Sequence, residues 1–282
     1  MAGPQQLPLT QRHIVHSDLM DFDFEITTQG PPIDWPEPLA VVYQTDANFG
    51  AGFACDMATM LLMGGEIPPI LTVAIGYPVG GDIVYVTGRR MYDFSPTSDE
   101  WQLEQLNASP LVEMEVVGGG APLFARFMSE ELWPWLQANF NVSDDRTYVG
   151  DSMGGLFGCY TLFNHTGFFN RYVIGSPWIC WDHPLVFDYE AAYAEANDDL
   201  DAVVYLAAGG AEDVLSPAFD PGATAIFEQA RTAEHTERLG ELLTGRNYPS
   251  LRLKTMIWDE ETHFTVPYAL VAHGLRWVFN AG

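Results

Sequence analysis

Basic residues are scarce in this chain of 282 residues: 12 lysines and arginines stand against 38 aspartates and glutamates, and Lys254 is the single lysine. The formal net charge is therefore -26. Such a charge repels nucleic-acid phosphates and anionic membrane surfaces, and it slows the approach of negatively charged small molecules. We expect no nucleic-acid partner and no membrane partner, and we expect neutral or cationic small molecules to fit better.

Cysteine is also scarce, and long apolar runs are missing. Cys55, Cys159 and Cys180 are odd in number and widely spaced, which is typical of buried free thiols and not of a disulfide framework or a metal site. Apolar stretches such as residues 70–79 fall well short of the roughly 18 residues that span a bilayer. The first ten residues have neither a basic start nor an apolar signal core. We therefore expect a soluble, cytoplasmic protein without a metal or cofactor.

Apolar residues are plentiful, and they make up 48% of the chain, which is enough to bury one large core. No internal repeat or low-complexity linker divides the sequence. We expect a single domain spanning residues 1–282. Within it, residues 84–122 show no clear periodicity and are predicted to be an irregular substrate loop, and residues 176–200 a second loop or small cap.

Strands and helices are predicted to alternate along the chain, which favours an α/β fold with a mostly parallel sheet covered by helices on both faces. An antiparallel edge hairpin is expected at residues 13–27. Further strands are predicted at residues 39–44, 70–75, 172–174, 202–207 and 251–258. Helices are predicted at residues 123–140, 223–243 and 266–279.

The most informative motif is Gly150-Asp151-Ser152-Met153-Gly154, which follows an apolar strand and precedes an apolar helix. This spacing is typical of a nucleophile elbow, a strand-to-helix turn so tight that its serine hydroxyl projects clear of the sheet. Glycine at both ends removes side chains that would collide there. The alternative is an ordinary turn that happens to expose a serine. The context favours Ser152 as a nucleophile.

A nucleophilic serine requires a base and a carboxylate that orients the base. In α/β-hydrolases they follow the serine in the order acid, then histidine. His263 fits the last position, because it lies in a polar loop between the last predicted strand and the terminal helix. The acid is expected after the strand at residues 202–207, where we favour Glu212 and keep Asp213 as the alternative.

An oxyanion formed at such a site needs two hydrogen-bond donors. The first is expected to be the backbone N–H of Met153, which directly follows the nucleophile. The second is expected from the loop after the strand at residues 39–44, where Asp46 is favoured and Ala47 is the alternative.

Several stretches together resemble the putative-esterase family, which includes ferric-siderophore esterases, esterase D, feruloyl esterases and mycolyltransferases. The stretches are Asp46-Ala47-Asn48-Phe49, Asp93-Phe94-Ser95-Pro96, glycines 118–120, residues 146–157 around the elbow, and residues 169–182 with Ser176-Pro177-Trp178. The resemblance covers roughly residues 12–280. It implies an α/β-hydrolase fold, with Ser152 as nucleophile, His263 as base and Glu212 as acid. Asp151 stands where the family often has histidine.

The favoured hypothesis is a serine-dependent hydrolase of carboxylic esters or lactones that acts through an acyl-enzyme on a small-molecule substrate. Trp178, Trp181, Tyr92 and Phe94 are predicted to line an apolar acyl or aryl pocket, and ordinary core packing is the alternative for each. Two other functions remain open at this point. The same triad could transfer the acyl group to an alcohol, or the fold could serve as a noncatalytic binding protein.

Overall fold

The computed structural model describes residues 7–79, 82–108, 114–213, 226–227 and 229–281. Its centre is an eight-stranded sheet with strand order β1-β2-β4-β3-β5-β6-β7-β8. The strands are β1 (Thr10–Ser17), β2 (Phe22–Gln29), β3 (Leu39–Gln44), β4 (Ile70–Gly76), β5 (Val142–Asp151), β6 (Arg171–Gly175), β7 (Val203–Gly209) and β8 (Arg252–Trp258). Strands β3 to β8 pair in parallel, while β1 and β2 form an antiparallel hairpin at one edge. The predicted mostly parallel sheet and edge hairpin are confirmed.

Helices cover both faces of this sheet. They are α1 (Ala47–Met63), α2 (Ile83–Phe94), α3 (Glu100–Ala108), α4 (Ala121–Arg126), α5 (Trp133–Asn139), α6 (Met153–Asn164), α7 (Val186–Ala196), α8 (Thr232–Arg246) and α9 (Val266–Asn280). Alternate residues of a strand point to opposite faces. Accordingly, Val41 and Tyr43 of β3 join the core cluster that contains α4 and α6, whereas Ala40 and Val42 join the cluster under α1 and α9. The sheet therefore has one hydrophobic core on each face, as in the α/β-hydrolase fold.

The prediction of an irregular loop at residues 84–122 was wrong, because α2 and α3 occupy much of it. The start of α2 is capped by Asp82, whose carboxylate accepts a hydrogen bond from the Tyr85 N–H at 3.0 Å. Met91 and Phe94 of α2 are buried against the body of the protein. The apolar residues of α2 are spaced as in an amphipathic helix, so the sequence carried a helical signal here that the prediction overlooked. Residues 109–113 of this segment lie outside the described residues.

The helix predicted at residues 123–140 is present but divided by a π-helical segment, Phe127–Leu132, between α4 and α5. Pro134 lies two residues after this segment, and a proline ring cannot fit against the carbonyl group four residues earlier. The wider π turns are a known way of relieving such a conflict. The helix predicted at residues 223–243 is observed as α8, which begins at Thr232, and residues 223–225 lie outside the described residues.

No helix within the described ranges is long and apolar enough to cross a membrane. Cys55 and Cys159 are buried free thiols, as predicted, whereas Cys180 is a free thiol that is only partly buried.

Candidate active site

Ser152 lies between β5 and α6 with φ 60° and ψ −121°, a backbone conformation that is strained for any residue with a side chain. Glycine is required at positions 150 and 154, because a side chain at either position would collide with neighbouring atoms. A Cβ atom on Gly150 would lie 2.6 Å from the Gly154 carbonyl oxygen, and one on Gly154 would lie 2.5 Å from Thr45 Oγ1. The predicted elbow geometry, with the serine on a tight turn between a strand and a helix, is therefore present.

The elbow is anchored to the end of the neighbouring strand β6. The Ser152 N–H donates to the Gly175 carbonyl at 3.0 Å, and the Trp178 N–H donates to the Ser152 carbonyl at 3.1 Å. Gly155 permits this approach, because a Cβ atom there would lie 2.4 Å from the Gly175 oxygen and 2.8 Å from Pro177 Cα. This contact was not predicted from the sequence, although two consecutive glycines at 154 and 155 indicate a close approach of another backbone segment.

Glu212 and His263, 51 positions apart in the chain, are joined by a hydrogen bond of 2.8 Å between Glu212 Oε2 and His263 Nδ1. Both are nearly inaccessible to solvent, with 2% and 6% of their surfaces exposed. They follow β7 and β8, so the parallel sheet brings their loops to the edge that also carries Ser152. Of the two candidate acids, Glu212 is the one that contacts the histidine, whereas Asp213 is exposed.

The second oxygen of Glu212 is also bound. Oε1 accepts hydrogen bonds from the Gly209 N–H at 2.6 Å and from the hydroxyl of Ser176. Ser176 is fully buried and has a positive φ of 37°. A carboxylate with both oxygens held can present only one orientation to the imidazole. No role was predicted for Ser176, although it lies in the Ser176-Pro177-Trp178 stretch that carried the family resemblance.

Aromatic rings surround the imidazole of His263. The Phe227 ring centroid lies 4.9 Å from it, and that of Trp178 lies 5.8 Å from it. Trp178 is fixed by a 2.7 Å hydrogen bond from its Nε1 to Gln102 Oε1 of α3. Trp178 is thus next to the candidate base, as expected of a pocket residue. The contact between Phe227 and His263 was not predicted, because the two residues are far apart in the sequence.

Of the other predicted pocket residues, two lie in the core and one is half-buried. Trp181 is fully buried and donates from Nε1 to the Thr97 carbonyl at 3.1 Å. Phe94 is 1% exposed and packs against Phe124 and Phe157. Tyr92 is half-buried beside Gly120. Contact of these three side chains with substrate stays a prediction.

Both predicted oxyanion donors are at the elbow. Met153 is the first residue of α6, so its N–H points out of a helix N-terminus, where the helix dipole favours negative charge. Asp46 precedes α1 in the left-handed conformation, with φ 60° and ψ 39°. A Cβ atom on Gly154 would lie 3.4 Å from Asp46 Oδ2, which places the Asp46 loop against the elbow. Ala47, the alternative, is the first residue of α1.

With this geometry in place, comparison with known proteins decides the family. The family model described as putative esterase matches residues 70–247. The chain belongs to the putative esterase family.

Two curated members of known identity show how far this likeness extends. The ferri-bacillibactin esterase BesA of Bacillus subtilis is 26% identical over 265 residues, which cover 90% of this chain and 82% of BesA. The siderophore enterobactin esterase of Emericella nidulans is 28% identical over 224 residues, 74% of this chain and 72% of that protein. Among solved structures, the siderophore hydrolase EstA from Aspergillus nidulans superimposes with a TM-score of 0.82 at 20% identity, covering 99% of this chain and 98% of EstA. This esterase is a serine-dependent carboxylic ester hydrolase with the α/β-hydrolase fold, as the sequence predicted.

The electrostatics of this esterase's site are dominated by carboxylates. Arg90 binds Asp46, and Arg89 Nε donates to the fully buried Asp93 at 3.1 Å. Burial raises the pKa of Asp93 to about 6, while Arg89 acts in the opposite direction. The two arginines near the site are therefore both engaged in ion pairs. In the described part of the chain, no group of three or more His, Cys, Asp or Glu residues is placed to hold a metal ion.

Asp151, next to Ser152, is the aspartate whose pKa departs most from that of an ordinary aspartate. Burial raises the pKa of the Asp151 carboxyl to about 7. The charges of Glu212 and Asp46 act in the same direction, whereas His263 and Arg90 lower it. The site therefore contains an acid that changes charge near neutral pH.

Proposed function

We propose that Ser152, His263 and Glu212 form the catalytic triad of this esterase. The observation that carries this assignment is the hydrogen bond between Glu212 and His263 at the edge of the sheet that holds the Ser152 elbow. Because Nδ1 of His263 is bound to Glu212, the other ring nitrogen, Nε2, is the one left to exchange a proton with the serine.

The reaction then proceeds in two stages. Ser152 Oγ attacks the ester carbonyl carbon while its proton passes to His263 Nε2, and the resulting intermediate collapses when this proton passes to the departing alcohol oxygen. Water next attacks the acyl-enzyme, gives its proton to His263 and releases the carboxylic acid as Ser152 Oγ recovers a proton. We assign the oxyanion of both intermediates to the N–H groups of Met153 and Asp46.

For the substrate, we propose a siderophore ester that carries no net negative charge near the scissile bond. The siderophore class is supported by the names of the relatives, which are siderophore esterases that match most of the chain. The restriction on charge is supported by the carboxylates at the site and by the net charge of -26. Neither Arg89 nor Arg90 supports an anionic substrate, since each is bound to an aspartate.

The segments at residues 84–122 and 176–200 are proposed to form the substrate side of the site within a single domain, residues 1–282. Trp178 lies next to His263 and is the member of the predicted set best placed to contact an acyl group. Tyr92, Phe94 and Trp181 are proposed to line the same pocket. We further propose a cytoplasmic location, which is supported by the three free thiols.

The assignment is tested by comparing the parent enzyme with Ser152→Ala on p-nitrophenyl esters from acetate to laurate. We expect the variant to lose hydrolysis by a factor of roughly 10⁴ or more, and the parent to be labelled at Ser152 by a fluorophosphonate. A variant that retains activity would remove Ser152 from the mechanism. Transfer of the acyl group to added alcohol in preference to water would favour the acyltransferase alternative.

The substrate class is tested with two ferric siderophore esters, one a neutral trihydroxamate complex and one an anionic catecholate complex. At low salt we expect higher kcat/KM for the neutral complex, and we expect the difference to shrink as salt screens the field of the protein. An anionic complex hydrolysed equally well at low salt would contradict the charge restriction while leaving the triad intact.

A further inference from the structure

Asp151 is the last residue of β5 and directly precedes the nucleophile Ser152. It pairs in register with Gly175 of β6. Its carboxylate lies over this glycine, because a Cβ atom built on Gly175 would be 2.6 Å from Asp151 Oδ1 and 2.1 Å from Leu270 Cδ2 of α9. Gly175 thus leaves the space that the Asp151 side chain occupies.

In this position Asp151 differs from the other acids of the site. Asp46 is bound by Arg90, and Glu212 is bound by His263, Ser176 and Gly209. Asp151 Oδ1 is buried, and it has no hydrogen-bond partner among the described residues. A buried carboxylate oxygen without a partner is expensive to ionise, and its charge acts on nearby groups with little screening from water.

The charged and titratable groups that face Asp151 come from four elements. They are His263 after β8, Glu212 after β7, Asp46 before α1 and Arg90 on α2. Arg90 is paired with Asp46, and Glu212 is hydrogen-bonded to His263 itself. His263 is therefore the group whose charge changes during catalysis and whose charged form an ionised Asp151 would favour.

We propose that Asp151 is a positioning residue that sets the pH dependence of ester hydrolysis through the effect of its negative charge on His263. This inference rests on the proposed function of His263 as the base. An ionised Asp151 stabilises the imidazolium formed in each transition state, which increases the rate at alkaline pH. The same charge favours protonation of the resting imidazole, so activity is lost at a higher pH on the acid side.

The test is the pH profile of kcat/KM for the parent, Asp151→Asn and the control Asp144→Asn. Asp144 is on the same strand with 85% of its side chain exposed, so its replacement removes an equal charge away from the site. For Asp151→Asn we expect the midpoint of the acid limb to fall by roughly one pH unit. The alkaline plateau of kcat/KM should fall by up to about tenfold, because one pH unit corresponds to a tenfold change in equilibrium or rate. The Asp144→Asn profile should match that of the parent.

A purely structural role would lower the plateau of Asp151→Asn without moving the midpoint, and that result would overturn the inference. If Asp151→Asn does not fold, the ¹³C signal of the Asp151 side-chain carboxyl in the parent enzyme decides the matter. A change of this signal with the same midpoint as the acid limb of the kcat/KM profile supports the inference, because interacting groups titrate together, and a signal that stays constant across that limb overturns it.

Failure of the inference can be told apart from failure of the proposed function. The second-order rate of fluorophosphonate labelling at Ser152 can be followed against pH in all three proteins, without any ester substrate. A parent enzyme that neither hydrolyses esters nor reacts with the probe would refute the proposed function. A reactive parent whose profile superimposes on that of Asp151→Asn would refute the inference alone.

Discussion

Arg90 of α2 holds Asp46 through two parallel hydrogen bonds, 2.7 Å from Nε to Oδ1 and 2.9 Å from Nη2 to Oδ2. Asp46 precedes α1, where an aspartate would ordinarily cap a free N–H of its own helix, yet its side chain makes no such bond. The carboxylate is bound instead to a neighbouring helix, with both side chains largely buried at 13% and 15% exposure. This ion pair links α2 to the loop that we assign to the oxyanion.

Replacing Arg90 with glutamine is therefore expected to lower kcat by roughly 10- to 100-fold, because a donor displaced by a fraction of an ångström stabilises the oxyanion poorly. Steady-state kinetics on a p-nitrophenyl ester measures this. The matched control is Arg126→Gln, which breaks an exposed pair with Glu130 and should leave kcat unchanged. In a double-mutant cycle with Asp46→Asn, the two effects should be strongly non-additive. Additive losses would show that the ion pair does not act as a unit.

Glu212→Gln should reduce kcat by roughly 10³- to 10⁴-fold, since an amide in this position no longer holds the imidazole in the required tautomer. Asp213→Asn is the control, because Asp213 is adjacent in sequence but exposed. It should change kcat by less than about twofold. Kinetics of both variants under the same conditions distinguishes the two acids, and a reversed pattern would assign the role to Asp213.

Ser176→Ala removes the hydroxyl that donates to Glu212 Oε1. A hydrogen bond to a charged group contributes about 1.5 kcal/mol, so we expect kcat to fall by roughly tenfold with little change in KM. Ser129→Ala is a suitable control, because Ser129 Oγ bonds only to carbonyl groups of its own helix, at Ala125 and Arg126. Wild-type kcat in Ser176→Ala would mean that Gly209 alone is enough to orient the carboxylate.

Gly155→Ala should destabilise the fold, because the new methyl group would lie 2.4 Å from the Gly175 carbonyl oxygen and 2.8 Å from Pro177 Cα, both backbone atoms. A loss of roughly 1–3 kcal/mol in the free energy of unfolding is expected, as for other overpacked sites. Gly245→Ala in α8 is the matched control, because no atom lies within 4 Å of a Cβ there. That substitution should be neutral or stabilising by up to about 1 kcal/mol. Urea denaturation measures both, and equal effects would argue against the close contact at Gly155.

The stability of the fold should also depend on the ionisation of Asp151. Its pKa is about 7 in the folded protein, against 3.8 for an ordinary aspartate, so the folded state binds the proton more tightly. Between these two pH values unfolding releases a proton, and stability falls as the pH rises. Above about pH 7 the carboxyl is ionised in both the folded and the unfolded state. The free energy of unfolding is then lowered by a constant amount, the cost of burying the charge.

Asp151→Asn abolishes this titration, so its Tm relative to the parent should rise from pH 5 to pH 8 by roughly 2–4 °C for each kcal/mol of this cost. Comparing the two pH values cancels any constant effect of the new amide group. Thermal unfolding followed by circular dichroism is sufficient. A Tm difference that is the same at both pH values would show that the Asp151 carboxyl does not titrate between pH 5 and pH 8 in the folded protein, contrary to this prediction.

The strands and the elbow were predictable because their physical requirements are local. A buried parallel strand needs an apolar run such as residues 39–44, and the turn at Ser152 needs small neighbours at Gly150 and Gly154. The order of serine, acid and histidine along the chain then indicated Glu212 and His263. The helical spacing of the apolar residues in α2 was also present in the sequence, but it was missed because residues 84–122 were interpreted as one stretch.

The sequence by itself determined the class of fold, the nucleophile elbow, the excess of negative charge and the short set of residues from which a triad could be drawn. Only the tertiary structure decided which partners these residues have. It placed Glu212 and not Asp213 on His263, added Ser176 behind that carboxylate, bound Arg90 to Asp46 and left Asp151 Oδ1 without a partner among the described residues. These contacts join residues tens of positions apart, and they exist because parallel strands bring the loops at their carboxyl ends to one edge of the sheet.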